Sequence, residues 1–122
     1  MIFHHIAIYT QCLEEEVDFY QKYFGFIIIK RLFTGPVAMG YHLRQFNSNF
    51  VLEILKGKES IKNSSFHLAF FVSEVEEFYK NNKNKLNFIK PPFCVGQETI
   101  AFLSDPTGYQ IEINNQLQCY TC

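Results

Sequence analysis

The stretch HIAIY at positions 5–9 decides how the chain divides, because a similar stretch, HLAFF, returns at positions 67–71. Each half then ends in a strand-like stretch with a central glutamate, FVLEI at 50–54 and YQIEI at 109–113. The offset is 62 residues between the histidines and 59 residues between the glutamates. Two nearly equal offsets indicate a duplicated unit with one histidine and one glutamate in each copy.

The residues of the first half predict the element order βαβββ. Between Leu13 and Phe24 apolar residues recur at the spacing of an amphipathic helix, and Gly25 follows where a left-handed cap is expected. Alternating polarity and β-branched or aromatic residues indicate the strands on either side. The predicted strands are 2–9, 26–33, 37–46 and 50–56.

The second half repeats this order. Ser73 and Glu76 have the spacing of a capping box, which predicts a helix that runs to about Asn81. The prolines at 91–92 are expected to end a strand, since proline cannot donate a ladder hydrogen bond. Turn residues at 105–108 predict a hairpin. The predicted strands are 66–72, 86–90, 98–104 and 109–114.

The predicted fold class is α+β, with two βαβββ modules in a single domain, 1–122. A chain of this length buries roughly two-thirds of its unfolded surface. A polar stretch rich in lysine and serine separates the halves. The predicted bounds are 1–57 for module one, 58–64 for the connector, 65–115 for module two and 116–122 for the tail.

Composition argues against several classes of protein. The net charge of −1 gives no field that would attract nucleic acid or an anionic membrane. No apolar run approaches the roughly 20 residues of a membrane span, and no signal-peptide pattern is visible. These observations predict a cytoplasmic protein whose four cysteines are thiols. The CxxC formed by Cys119 and Cys122 is either an incidental tail or a redox or accessory metal motif.

Four ionisable residues take the same predicted position in their strands. Successive side chains of a strand point to opposite faces, so each of the four lies opposite bulky apolar neighbours that should pack against a helix. His4 points the other way and is interpreted as structural or exposed. Two imidazoles and two carboxylates would hold one divalent ion when the halves pack together: Ni²⁺, Co²⁺, Zn²⁺, Mn²⁺ or Fe²⁺. The candidate metal ligands are His5, Glu53, His67 and Glu112.

Taken together, these motifs resemble the vicinal oxygen chelate superfamily, which includes glyoxalase I, methylmalonyl-CoA epimerase, fosfomycin and bleomycin resistance proteins and extradiol dioxygenases. The resembling stretches cover almost the whole chain: HIAI at 5–8, FY at 19–20, FGF at 24–26, HLAF at 67–70, IAF at 100–102 and DPTGYQIE at 105–112. The resemblance implies two modules curled as a mixed sheet around a cleft, usually within a homodimer. It also implies that the four candidate residues are metal ligands.

In its ligand set the chain resembles glyoxalase I, and this resemblance implies a reaction. A metal can act as a Lewis acid on a carbonyl or a developing enediolate, and a glutamate released from it can take the carbon-bound proton. By this resemblance Glu112 is the expected base, and Glu53 is either its counterpart or a permanent ligand. The predicted function is a lyase or isomerase that moves a proton next to a carbonyl of a small-molecule substrate, through a metal-bound enediolate.

The chain departs at two positions from the glyoxalases that use glutathione. Tyr9 stands where those enzymes resemble one another in a basic residue, and Cys94 is the nearest match to a second such position. Glutathione has two carboxylates, so the identity of the substrate stays open. Arg31, Arg44 or a lysine would have to supply a bidentate clamp for an anion, and each arginine could equally be a solvent-facing charge.

Three other functions stay open. A protein of the bleomycin-resistance type would bind and sequester a small molecule in a cleft without a metal. An extradiol-type dioxygenase needs two histidines and one carboxylate on Fe²⁺, and Glu53 would crowd that site. A fosfomycin-type transferase would want three ligands and a more basic pocket.

Overall fold

A computed structural model describes residues 1–58 and 66–116 of the chain. The chain divides into two compact units, Met1–Lys62 and Asn63–Cys122. In the described residues each unit has one helix and one four-stranded mixed sheet, so the predicted α+β class is confirmed. Most of the predicted connector and the CxxC at 119–122 lie outside the described residues. Within the described part of the chain, no helix combines the length and apolar character needed to cross a membrane.

The first unit follows the predicted βαβββ order. Its elements are β1 (Ile6–Thr10), α1 (Leu13–Phe24), β2 (Phe26–Thr34), β3 (Val37–Gln45) and β4 (Val51–Lys56). The strands lie in the order β1-β4-β3-β2, with β1 parallel to β4 and the other neighbours antiparallel. A parallel pair needs a long crossover connection, which α1, β2 and β3 supply here.

Helix α1 forms the apolar layer of the first unit. Its buried residues include Leu13, Val17, Tyr20 and Phe24, the stripe that the sequence predicts. Gly25 ends the helix in the left-handed conformation, with φ at 66°, and its N–H donates to the carbonyl of Tyr20. The helix packs on β4, and each fully buried aliphatic side chain in this layer stabilises the fold by roughly 1.5–3 kcal/mol.

The second unit repeats the plan. Its elements are β5 (His67–Phe71), α2 (Val75–Asn82), β6 (Asn87–Val95), β7 (Glu98–Ser104) and β8 (Gln110–Asn114). The strand order is β5-β8-β7-β6, and β5 is parallel to β8. Leu103, Ile111 and Ile113 are fully buried in this sheet, and α2 packs against β6 and β7.

The predicted turn at 105–108 joins β7 to β8 and sets the position of the strand that carries Glu112. The side chain of Asp105 is buried, and its Oδ1 accepts hydrogen bonds from the backbone N–H groups of Thr107, Gly108 and Tyr109. One buried carboxylate therefore accepts from three backbone donors of the turn and holds it in place.

The capping box predicted at Ser73 is wrong. Helix α2 begins at Val75, its N-cap is Glu74, and no side chain caps it. A capping side chain must belong to the residue directly before the helix, because only there can its oxygen reach the second or third helical N–H. Ser73 lies one residue too early.

The prediction that the prolines at 91–92 end a strand is also wrong, because β6 continues to Val95. This strand lies at the edge of its sheet, where a proline can face solvent without removing a ladder hydrogen bond. The pairing of β6 with β7 shifts register between Lys90 and Phe93, and this irregularity accommodates the two prolines.

The first strand begins at Ile6, four residues later than predicted. It pairs with β4 from Ile6, which lies opposite Leu52, and β4 itself begins at Val51. For the residues before Ile6, β4 therefore offers almost no backbone to pair with. His4 and His5 precede the strand, and their directions are not set by strand alternation.

Candidate functional site

The two predicted glutamates lie on the sheet faces that turn away from the helices. In β4, Leu52 and Ile54 are fully buried, whereas Glu53 between them is half-buried. In β8, Glu112 is half-buried and alternates with fully buried isoleucines in the same way. The orientation predicted from strand alternation agrees with this burial.

The first unit brings His5 and Glu53 together. The β1–β4 register places Ala7 opposite Glu53, and His5 lies two residues before Ala7. The His5 Nε2 atom is 3.5 Å from Glu53 Oε1. His5 is the more exposed of the two, with 33% of its side chain accessible against 14% for Glu53.

A third residue, His42, joins this pair and was missed by sequence reasoning. It lies directly opposite Glu53 in the β3–β4 register. Its Nε2 is 2.5 Å from Glu53 Oε2 and donates to it, because a carboxylate oxygen accepts. The two oxygens of Glu53 are thus divided: Oε2 is held by His42, and Oε1 faces His5.

His4 completes a group of imidazoles around this carboxylate. It is exposed, as predicted, but it does not point away from His5: their Nδ1 atoms are 2.6 Å apart, within hydrogen-bonding distance. The ring centroids of His5 and His42 are 5.5 Å apart, and those of His4 and His42 are 6.4 Å apart. Three rings therefore lie close together on one side of Glu53.

The second unit brings His67 and Glu112 together in the equivalent way. The β5–β8 register places Ala69 opposite Glu112, and His67 lies two residues before Ala69. The His67 Nε2 atom is 3.6 Å from Glu112 Oε1. The Nδ2 group of Asn114, two residues along the same strand, donates to Glu112 Oε2 over 2.7 Å.

The spacing within each pair suits two ligands of one ion. Ligands about 2.0–2.2 Å from a metal lie roughly 3.0–3.5 Å apart in octahedral or tetrahedral geometry. The His5–Glu53 and His67–Glu112 distances, 3.5 and 3.6 Å, are close to that range. Neither unit by itself arranges three or more His, Cys, Asp or Glu side chains of the described residues as a metal site. Each unit offers half of the predicted ligand set.

Tyr41 anchors the strand that carries His42. It lies on the opposite face of β3, is buried, and its hydroxyl donates to Glu14 Oε1 over 2.8 Å. That hydrogen bond, together with burial, raises the pKa of the Tyr41 phenol above its ordinary value of 10.0. The contact joins β3 to α1 and so supports the position of His42.

Comparison with known proteins gives one family and a set of similar structures. The model of the glyoxalase/bleomycin resistance protein/dioxygenase superfamily matches residues 2–113. No match was found among curated protein sequences. A possible glyoxalase from Bacillus cereus is 22% identical, with a TM-score of 0.75 over 93% of this chain and 97% of its own.

Two further solved structures are similar to this chain. The genomically encoded fosfomycin resistance protein FosX from Listeria monocytogenes is 18% identical, with a TM-score of 0.76 over 93% of this chain and 92% of its own. Lactoylglutathione lyase from Agrobacterium tumefaciens is 15% identical, with a TM-score of 0.69 over the same shares. Likeness at these identities shows the fold alone, and function has to be argued from the residues.

Proposed function

Because the chain belongs to the glyoxalase/bleomycin resistance protein/dioxygenase superfamily, we propose that it is a divalent-metal-dependent enzyme of glyoxalase or epimerase type. The reaction is the transfer of a proton on a carbon next to a carbonyl, as a lyase or an isomerase. One observation carries the proposal: a histidine Nε2 and a glutamate Oε1 stand 3.5 Å apart in the first unit and 3.6 Å apart in the second.

The four residues proposed to hold the metal are His5, Glu53, His67 and Glu112. Two carboxylates neutralise a divalent ion, and imidazole with carboxylate suits Ni²⁺, Co²⁺, Zn²⁺, Mn²⁺ or Fe²⁺. When bound, the ion would polarise the substrate carbonyl. The two units then act as a single domain over 1–122, with modules 1–57 and 65–115, connector 58–64 and tail 116–122. We further propose a cytoplasmic homodimer that acts on a small molecule.

The two glutamates are proposed to have different roles. His42 holds Glu53 from a neighbouring strand, which supports a fixed ligand. Glu112 is held by the neutral amide of Asn114 on its own strand, so it is less restrained. We assign Glu112 as the base that takes the proton from carbon and Glu53 as the permanent ligand. General-base catalysis by such a carboxylate is worth about 10²–10⁴ in rate.

A metal titration tests the proposal. Chelator-stripped protein is titrated with Ni²⁺ and with Zn²⁺ by calorimetry, beside His67→Ala and the control Glu77→Ala, which removes an exposed carboxylate of α2 outside the ligand set. We expect one saturable site per chain that is lost in His67→Ala and kept in Glu77→Ala. That result justifies screening hemithioacetals and acyl-CoA epimers as substrates. Absence of binding, or equal binding in His67→Ala, contradicts a metal enzyme.

A metal-free module that binds and sequesters a small molecule is the second candidate. The observation in its favour is the aromatic surface beside His67, where the Phe102 ring meets His67 edge-on and stacks on Phe93. The same titration separates the two functions. Oxygen consumption with an Fe²⁺-loaded sample would separate a dioxygenase from a lyase.

A further inference from the structure

Arg44 lies on the same sheet face of the first unit as Glu53 and His42. In the β3–β4 register His42 is opposite Glu53, and Arg44 is opposite Val51, two residue pairs along the ladder. Leu43, between them in β3, is fully buried on the other face. Diagonal neighbours in an antiparallel pair are about 7–8 Å apart, within reach of a long side chain. Arg44 and Glu53 can therefore contact two parts of the same small molecule.

The Arg44 guanidinium makes no salt bridge in the part of the chain that the structure describes. The side chain is half-buried, and its Nε atom is buried without a hydrogen-bond partner. The ion pairs found among the described residues all join a histidine to a glutamate, and none involves Arg44. A partly desolvated cation without a partner is unfavourable, and a bound anion would compensate it.

The second arginine gives a direct contrast. Arg31 lies in β2 and is exposed, as expected for a solvent-facing charge. The sequence left the anion clamp open among Arg31, Arg44 and the lysines, and of the two arginines only Arg44 is half-buried. Tyr9 and Cys94, which occupy the positions where glutathione-using glyoxalases resemble one another in basic residues, are exposed and uncharged.

We propose that Arg44 binds an oxyanion of the substrate, a carboxylate or a phosphate, beside the His42–Glu53 pair. The planar guanidinium presents parallel N–H donors that match two oxygens of such a group. The inference rests on the proposed function in one respect: it takes the small molecule that Arg44 binds to be the substrate. The expected substrate class is a carbonyl compound with one acidic group.

The equivalent position of the second unit carries no charge. Ser104 lies opposite Gln110 in the β7–β8 register, as Arg44 lies opposite Val51, and Phe102 stands in the place of His42. At these two positions the first unit has a cation and the second has none. In the second unit Lys90 lies opposite Phe102 on the next strand, and its ammonium already has an aromatic partner, with Nζ 4.0 Å from the Phe93 ring centroid. The anionic group of the substrate is therefore assigned to Arg44.

Nuclear magnetic resonance of the arginine Nε–H groups tests this directly, because the two arginines give two signals. The metal-stripped full chain is titrated with malonate, with inorganic phosphate and with neutral malonamide. We expect the Arg44 signal to shift saturably with at least one anion and the Arg31 signal to stay unchanged. Saturation by malonate alone identifies a carboxylate, and saturation by phosphate alone identifies a phosphoryl group. No shift with either anion, or an equal shift with malonamide, overturns the proposal.

Three variants complete the experiment, with anion affinity measured by calorimetry because two of them lack the Arg44 signal. Arg44→Gln should weaken anion binding by about tenfold to a hundredfold, as loss of a charge-assisted bidentate contact requires. Arg44→Lys keeps the positive charge but loses the parallel N–H donors of the guanidinium. Its affinity for the anion should lie between those of Arg44→Gln and the unchanged chain. Arg31→Gln is the matched control and should bind as the unchanged chain does. Equal binding in Arg44→Gln and Arg31→Gln overturns the proposal.

The metal-stripped sample keeps this test independent of the metal proposal. If the calorimetric titration finds no metal site but the Arg44 signal still responds, the anion site stands and the enzyme proposal fails. If metal binds at His67 and the Arg44 signal does not respond, the enzyme proposal stands and the anion site fails.

Discussion

The two units place a histidine and a glutamate alike but hold the glutamate differently. In the first unit His42, on the neighbouring antiparallel strand, donates to Glu53. In the second unit Phe102 occupies the position opposite Glu112, and the donor is Asn114 on the same strand. The parallel strand pair therefore repeats the same His–Glu geometry, while the third strand distinguishes one copy from the other.

Phe102 makes the corresponding face of the second unit apolar. Its ring meets His67 edge-on, with centroids 6.0 Å apart, and stacks on Phe93 at 6.2 Å. An aromatic ring offers Glu112 no hydrogen bond, so nothing on β7 ties that carboxylate across the sheet at this rung. At the equivalent position of the first unit, the His42 imidazole makes such a hydrogen bond to Glu53. This contrast predicts that the two glutamates respond differently to the same substitution.

The largest effect is expected from Glu112→Gln compared with Glu53→Gln. Loss of the proposed base should lower kcat by about 10²–10⁴ even in samples that are saturated with metal. Loss of the proposed permanent ligand should chiefly lower metal affinity. Steady-state kinetics on whichever hemithioacetal or acyl-CoA epimer is turned over, with metal content measured on the same samples, checks both. Equal kinetic losses at equal metal content would show that the two carboxylates are interchangeable.

A smaller effect is expected when the difference between the units is removed by His42→Phe, which gives β3 the residue that β7 has at this rung. Without the donor, Glu53 is no longer oriented, and the loss of such a supporting hydrogen bond typically costs about 10–100-fold in metal affinity. Calorimetric titration with Ni²⁺ measures the change. His42→Gln, which keeps a donor, should recover part of it. If His42→Phe binds Ni²⁺ as tightly as the unchanged chain does, His42 has no role in orienting Glu53.

His42 was missed because predicted strand bounds do not fix the register between two strands. Strands predicted at 37–46 and 50–56 leave a three-residue loop, and pairing them directly across it would place His42 opposite Ile54, on the core face. The observed strands leave five residues between them, 46–50, and their register places His42 opposite Glu53. A one-residue slip in register exchanges the two faces of a strand, so this small difference hid the contact.

Other features were predictable because local chemistry decides them. The stripe from Leu13 to Phe24 can bury itself only as a helix, and Gly25 suits the left-handed conformation that ends it. The turn at Asp105 supplies its own hydrogen-bond acceptor. The prolines at 91–92 were misjudged because their tolerance depends on β6 lying at a sheet edge, which is a property of the whole sheet.

The smallest effect concerns Tyr41, which also distinguishes the two units, because Ala101 stands at the equivalent position opposite Ile113. The pKa of the Tyr41 phenol is raised above 10.0, first by the hydrogen bond to Glu14 and then by burial. A raised pKa means that the folded state favours the protonated phenol. Its contribution to stability is therefore complete below about pH 10 and is lost as the pH rises through the pKa of the folded state.

Tyr41→Phe should lower the free energy of unfolding by about 0.5–1.5 kcal/mol near neutral pH, the usual worth of one hydrogen bond. It should also remove part of the fall in stability above about pH 10, because phenylalanine does not ionise. Urea unfolding at several pH values measures both changes, with Tyr9→Phe as the control at an exposed tyrosine. If Tyr41→Phe and the unchanged chain lose stability equally over that range, the hydrogen bond to Glu14 does not couple folding to the ionisation of Tyr41. Tyr41 would then join α1 to β3 only through the packing of its ring.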